Sequence, residues 1–165
     1  MEKIKKKPLI VITGPTAVGK TDLSIRLAKD INGEIISADS IQIYKYMDIG
    51  SAKVMPEEMN GVVHHLIDEL YPDKEFNVYT FKKMANTAMD GIYTRGLVPV
   101  IAGGTGFYIQ SVLYDINFDE SFDILVNTDN FDLFLSVIEV DENSEKLWKK
   151  IREICFDKIN IGIGD

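Results

Sequence analysis

The sequence is poor in cysteine and arginine. Its single cysteine, Cys155, can form no intramolecular disulfide, and lone thiols of this kind suit a reducing cytoplasm. The arginines are three: Arg26, Arg95 and Arg152. With 18 Lys and Arg against 26 Asp and Glu, the formal net charge is −8. Such a balance lacks the broad basic footprint that holds phosphate backbones, so bulk composition argues against a nucleic-acid partner. No run approaches the ~20 apolar residues of a membrane span. Lysines 3, 5, 6 and 7 precede an apolar stretch, 9–12, that is too short for a secretory signal and leads straight into Gly14-Pro15. The expectations are a cytoplasmic monomer with no membrane partner.

What is present is enough apolar material for one core: 45% of the 165 residues are hydrophobic, and a compact fold of this size buries roughly 70% of the surface its unfolded chain exposes. Charge is uneven along the chain. Residues 1–115 carry 13 basic and 14 acidic side chains, whereas 116–165 carry 5 and 12.

PLIVIT (8–13) is apolar and β-branched on consecutive positions, which suits a strand covered on both faces. From Lys20 the apolar positions Leu23, Leu27, Ala28 and Ile31 fall at helical spacing, with Gly33 placed as a left-handed C-cap. EIIS (34–37) reads as a second strand, completing a βαβ unit and implying a parallel sheet. Phe81, Met84, Ala85, Ala88 and Ile92 form another apolar helical stripe. LVPVIA (97–102) then reads as a strand, GGTG (103–106) as a tight turn, and Phe107, Ile109, Val112 and Leu113 as a further helix. A third strand-then-helix unit is expected from FDLFLSVIEV (131–140), followed by a helix carrying Leu147, Ile151, Ile154 and Cys155. The segments 38–62 and 115–130 lack periodicity; the first is read as a functional loop and the second as an irregular acidic loop. The whole is expected to be a single α/β domain over 1–165, three-layered around a parallel sheet.

The most specific signal is Gly14-Pro15-Thr16-Ala17-Val18-Gly19-Lys20-Thr21, which fits G-x-x-x-x-G-K-[ST] between a strand and a helix. Glycines let backbone wrap a phosphate, amides at the helix start point at the anion, Lys20 adds a positive charge, and the Thr21 hydroxyl can ligate Mg²⁺. Asp39, just after the second strand, lies at the same sheet edge. It could ligate Mg²⁺ through water, act as a general base, or cap the next turn with its carboxylate. Thr105 in the GGTG turn could contact a ligand or cap a helix. His64-His65 has no third histidine to complete a metal site, and neighbours on a strand point to opposite faces.

The segments GPTAVGKT, SADSIQIYKYMDIGSAK, HHLID, FNVYTFKKMA and PVIAGGTGFYIQSVL occur in this order from Pro8 to about Tyr114. Together they resemble the tRNA dimethylallyltransferase family, enzymes that prenylate an adenosine beside the anticodon. The resemblance implies a P-loop NTPase-like fold, with Gly14, Pro15, Thr16, Ala17, Val18, Gly19, Lys20 and Thr21 holding the diphosphate of dimethylallyl diphosphate. It implies Mg²⁺ at Thr21, and Asp39 as acceptor of the adenine N6 proton with Lys20 and Thr21 supporting catalysis. It also implies that Asp39, Ser40, Ile41, Gln42 and Thr105 contact the anticodon stem-loop. The family pattern is longer between Tyr114 and Phe131, where it has a helical insertion gripping the stem-loop and an arginine-bearing segment. Here that stretch is acidic and holds no arginine, and the family continuation past Ile161 does not follow. Other readings of the same loops are prenyl transfer to free AMP or ADP, a small-molecule kinase, and a diphosphate-binding domain without turnover.

Overall fold

The structure, a computed structural model, describes residues 7–13, 19–113, 125–128 and 131–138. Element order is β1 (Leu9–Thr13), α1 (Lys20–Ile31), β2 (Gly33–Ser37), β3 (His64–His65), α2 (Val78–Thr94), β4 (Val98–Gly103), α3 (Gly106–Leu113), β5 (Leu125–Thr128) and β6 (Phe131–Ile138). These strands form one sheet in the order β3-β2-β4-β1-β6-β5. The first four are parallel, as the βαβ pattern requires.

Consecutive apolar residues on β1 are explained by burial on both faces. Ile10 and Ile12 pack with Ile35 and Val100 against Leu23, Leu27 and Ala28 of α1. Leu9 and Val11 pack with Ile36 and Ile101 against Phe81, Ala85, Met89 and Ile92 of α2 and Ile109 and Val112 of α3. The result is three layers, with α1 on one face and α2 and α3 on the other.

Three expectations change. The left-handed residue closing α1 is Asn32 (φ 58), not Gly33, which opens β2; asparagine is among the few side chains that tolerate this region. The strand at 131–138 runs antiparallel to β1, not parallel. Part of the stretch read as an irregular loop, Leu125–Thr128, is a strand antiparallel to β6. An apolar run in the sequence reports a strand but not its direction; for β5 and β6 the short link between them permits only an antiparallel pair. The helix expected after Asp141, with Cys155, lies outside the described residues.

Candidate active site

Because β2, β4 and β1 are adjacent and parallel, their carboxyl ends share one edge: Ser37 is opposite Ala102, and Thr13 is opposite Gly103. Open parallel sheets hold ligands in the crevice at this edge. Three segments expected to bear function leave it, at Gly19 to Thr21, Asp39 to Gln42, and Thr105.

Gly14, Pro15, Thr16, Ala17 and Val18 lie outside the described residues. Gly19 sits at φ 90 just before α1, a conformation that favours glycine. Lys20 and Thr21 open the helix, where backbone amides have no partner within the helix itself and favour an anion. Burial pushes the Lys20 ammonium below its ordinary pKa, while the Asp39 carboxylate pulls it back up. These two groups are therefore in electrostatic reach of each other, though they come from different strand ends. Thr21 is exposed on the first turn, and its carbonyl accepts from the Ser24 hydroxyl at 2.8 Å.

Asp39 does form the capping turn: its Oδ1 accepts from the amides of Ile41 (2.8 Å) and Gln42 (3.0 Å). Only one carboxylate oxygen is engaged in those bonds, so capping fixes the side chain without removing its capacity to accept a proton. The Gln42 side chain braces the loop. Its Oε1 accepts from the Ser37 hydroxyl at 3.1 Å, and its Nε2 donates to the carbonyls of Ala52 (3.1 Å) and Ser51 (3.4 Å). Ser40 is half-buried and Ile41 is exposed.

The turn after β4 is pressed onto the end of β2. The Thr105 amide donates to the Ala38 carbonyl at 3.2 Å, and the Thr105 carbonyl accepts from Tyr108 and Ile109 of α3. A Cβ on Gly103 would stand 2.2 Å from the Ala38 carbonyl oxygen, so this close approach requires glycine. Tyr108 stacks on Phe81 with ring centroids 4.8 Å apart. Burial raises its phenol pKa, with Tyr44 and Asp39 adding to the shift, so Tyr108 also lies in the electrostatic neighbourhood of Asp39.

Two charged clusters were not apparent in the sequence. Lys53 is buried, with Nζ bonded to the Tyr44 carbonyl (2.6 Å), Asp48 (2.8 Å) and Asp68 (2.6 Å). Glu34 Oε2 accepts from Arg95 at 2.6 Å and lies 2.6 Å from His65 Nε2. His64 instead bonds the Val62 carbonyl through Nδ1, so the two histidines have separate structural partners. An open cleft of about 440 Å³ beside α2, lined by His65, Leu66, Glu69, Thr80, Lys83 and Met84 among others, includes no residue of the sheet-edge site.

The family description IPP transferase matches residues 42–158, and Isopentenyl transferase matches 7–71. The first covers well over half of the chain. The chain belongs to the tRNA dimethylallyltransferase family. Tyr44, Lys53 and Asp68 fall where the two matches overlap. The tRNA dimethylallyltransferase of Lachnoclostridium phytofermentans is 65% identical over 115 residues, which are 70% of this chain and 37% of that protein. That of Staphylococcus haemolyticus is 60% identical over 120 residues, 73% of this chain and 36% of that protein. Among solved structures, the full-length tRNA isopentenylpyrophosphate transferase of Bacillus halodurans aligns with a TM-score of 0.65 at 40% identity, covering 90% of this chain and 43% of that one. The tRNA delta(2)-isopentenylpyrophosphate transferase of Staphylococcus epidermidis gives 0.61 at 56% identity, covering 67% and 36%. The chain thus spans little more than a third of the length of these curated tRNA dimethylallyltransferases.

Proposed function

We propose that this chain carries the donor-binding and proton-accepting part of a tRNA dimethylallyltransferase, moving the dimethylallyl group of dimethylallyl diphosphate to N6 of an adenosine beside the anticodon. The observation that carries this reading is the placement at one sheet edge of Lys20, at the start of α1, and Asp39, just past the end of β2, near enough for the Asp39 charge to act on the Lys20 ammonium. A cation at a helix start suits a diphosphate, and a carboxylate beside it suits an amine that must lose a proton.

In the reaction the N6 lone pair attacks the allylic carbon, the carbon–oxygen bond breaks, and diphosphate departs with that electron pair. The proton of N6 passes to Asp39. Lys20 and the amides of the first turn of α1 offset the charge that grows on the leaving oxygen. Thr21 supplies an exposed oxygen donor beside them. This suits Mg²⁺, which takes few protein ligands and fills its shell with phosphate oxygens and water. When bound, the ion would add positive charge next to the diphosphate. Thr105 and the turn at Ser40 and Ile41 flank Asp39 and form the acceptor side, where the target base must stand out of its stack to be reached.

The test is transfer of a labelled dimethylallyl group, with Mg²⁺ present, to an anticodon stem-loop, with AMP and ADP as parallel acceptors. Transfer to the stem-loop that disappears in Asp39→Ala is the expected result. Transfer to the mononucleotides alone would replace the acceptor, and diphosphate binding with no transfer to any of them would overturn the enzymatic reading.

A further inference from the structure

A lysine 6% exposed sits in the middle of the loop that follows Asp39, and nothing in the transfer step above uses it. Around Lys53 the backbone is unusually constrained. Tyr46 (φ 66), Ala52 (φ 49), Leu66 (φ 63) and Asp68 (φ 54) all occupy the left-handed region without being glycine. Residues in that region persist only where the surroundings over-determine them, and they concentrate at functional sites. The surroundings here are specific. The 42–45 segment is laced to 68–70 by backbone bonds from Asp68 to Gln42, from Glu69 and Leu70 to Ile43, and from Lys45 to Leu70. Lys53 closes this ladder from inside, since its Nζ binds the Tyr44 carbonyl on one side and Asp68 on the other, and draws in Asp48 from the intervening turn. The residue before it, Ala52, accepts from Gln42, whose own amide is bonded to the carboxylate of Asp39. A continuous set of contacts therefore runs from Lys53 to the proposed base.

We propose that Lys53 is a positioning residue for the acceptor side of the site: by joining Tyr44, Asp48 and Asp68 it holds the loop that presents Asp39, Ser40 and Ile41 to the adenosine, and it leaves diphosphate binding untouched. The proposal rests on the transferase reading for the identity of the acceptor. Its ammonium is kept protonated for this work. Burial acts against the charge, but the hydrogen bonds and charges of Asp48 and Asp68 outweigh that and raise its pKa. Both carboxylates are about half exposed, so water can solvate them when the lysine is replaced.

The experiment compares wild type, Lys53→Met, Lys53→Arg and, as a milder second break, Asp68→Asn in the full 165-residue chain. Amide hydrogen exchange is followed at residues 41–52 and, as a control for folding, in α2 and β4. Loop amides are expected to exchange at least about tenfold faster in Lys53→Met and by a smaller factor in Asp68→Asn, with control amides unchanged. Lys53→Arg restores most of the protection, and dimethylallyl diphosphate binds all four proteins within about twofold of one another. In the transfer assay kcat/KM for the stem-loop falls, while KM for the diphosphate stays level, a split that general loss of structure would not produce. Unchanged loop exchange, or a matching loss of diphosphate affinity in Lys53→Met, overturns the proposal whether or not wild type transfers. A silent wild type whose loop still depends on Lys53 overturns the transferase reading alone and supports the role of Lys53 in holding the loop.

Discussion

At the residue scale, Asp39 has one duty that is seen, capping the turn at Ile41 and Gln42, and one that is proposed, accepting a proton, and the choice of substitution distinguishes them. Asp39→Asn keeps an oxygen able to accept from the amides of Ile41 and Gln42, but an amide cannot take the N6 proton. Transfer should fall by roughly 100- to 10,000-fold, the usual contribution of a general base, while stability changes by less than about 1 kcal/mol. Asp39→Ala loses the cap as well and should be destabilised by about 1–2 kcal/mol more, as capping substitutions are. Initial rates and urea titrations of the two variants check both halves; equal stability losses would show that the turn does not depend on Oδ1. Lys20 offers a pH test. Burial lowers its pKa from the ordinary 10.5, and the protonated form is the one that attracts a diphosphate. Affinity for dimethylallyl diphosphate should therefore be level at neutral pH and, as pH is raised, begin to fall before 10.5 is reached, because the ammonium is lost earlier than in an ordinary lysine. Calorimetry across the alkaline range reads this, and Lys20→Met should bind weakly with no such dependence.

At the scale of elements, the Glu34 cluster joins β2 to β3 and to the end of α2. The carboxylate is nearly buried, which by itself would raise its pKa, but the bonds from His65 and Arg95 prevail and hold it below the ordinary 4.5. A carboxyl with a depressed folded pKa contributes stability that is fully present above its unfolded value and is lost as pH falls through the folded one. Denaturant unfolding of wild type should thus weaken below about pH 4.5, and Glu34→Gln should flatten that part of the profile. At pH 7 the variant should be less stable by about 1–3 kcal/mol, in the range of hydrogen bonds to charged groups; an identical acid profile in both proteins would exclude Glu34 as the source. This scale also shows what could be read in advance. Strand and helix positions followed from local apolar spacing, as in Leu23, Leu27 and Ala28, all buried on one face of α1. That Lys20, Asp39 and Thr105 would gather at one edge was legible because strand ends of a parallel sheet share it. The clusters of Lys53 and Glu34 were not, because their partners lie up to 15 and 61 residues away across loops, and no period connects them. The orientation of β6 was hidden for a related reason, since its sequence carries no mark of which neighbour it meets.

At the scale of the whole molecule, the proposed site draws on separate strand connections that meet at one sheet edge, so its integrity and that of the sheet are linked. The point of closest approach is Gly103, where a side chain would drive into the Ala38 backbone, one residue before Asp39. Neither partner there is a flexible side-chain end that can move aside. Gly103→Ala should cost about 1–3 kcal/mol, as overpacking does, and should shift β2 against β4 so that donor and acceptor sides lose their register. Ligand linkage makes this visible. A ligand that binds only the folded chain adds about 2.7 kcal/mol at a free concentration 100 times its Kd. Wild type should show a clear rise in Tm with dimethylallyl diphosphate and Mg²⁺. Gly103→Ala should begin from a lower Tm yet retain much of that rise, because Lys20 opens α1 on the connection from β1 whereas the clash falls on Ala38, just past the end of β2, while its transfer activity drops sharply. Thermal melts with and without ligand, set beside transfer rates, distinguish this from simple instability, in which raising stability with ligand would restore activity in proportion.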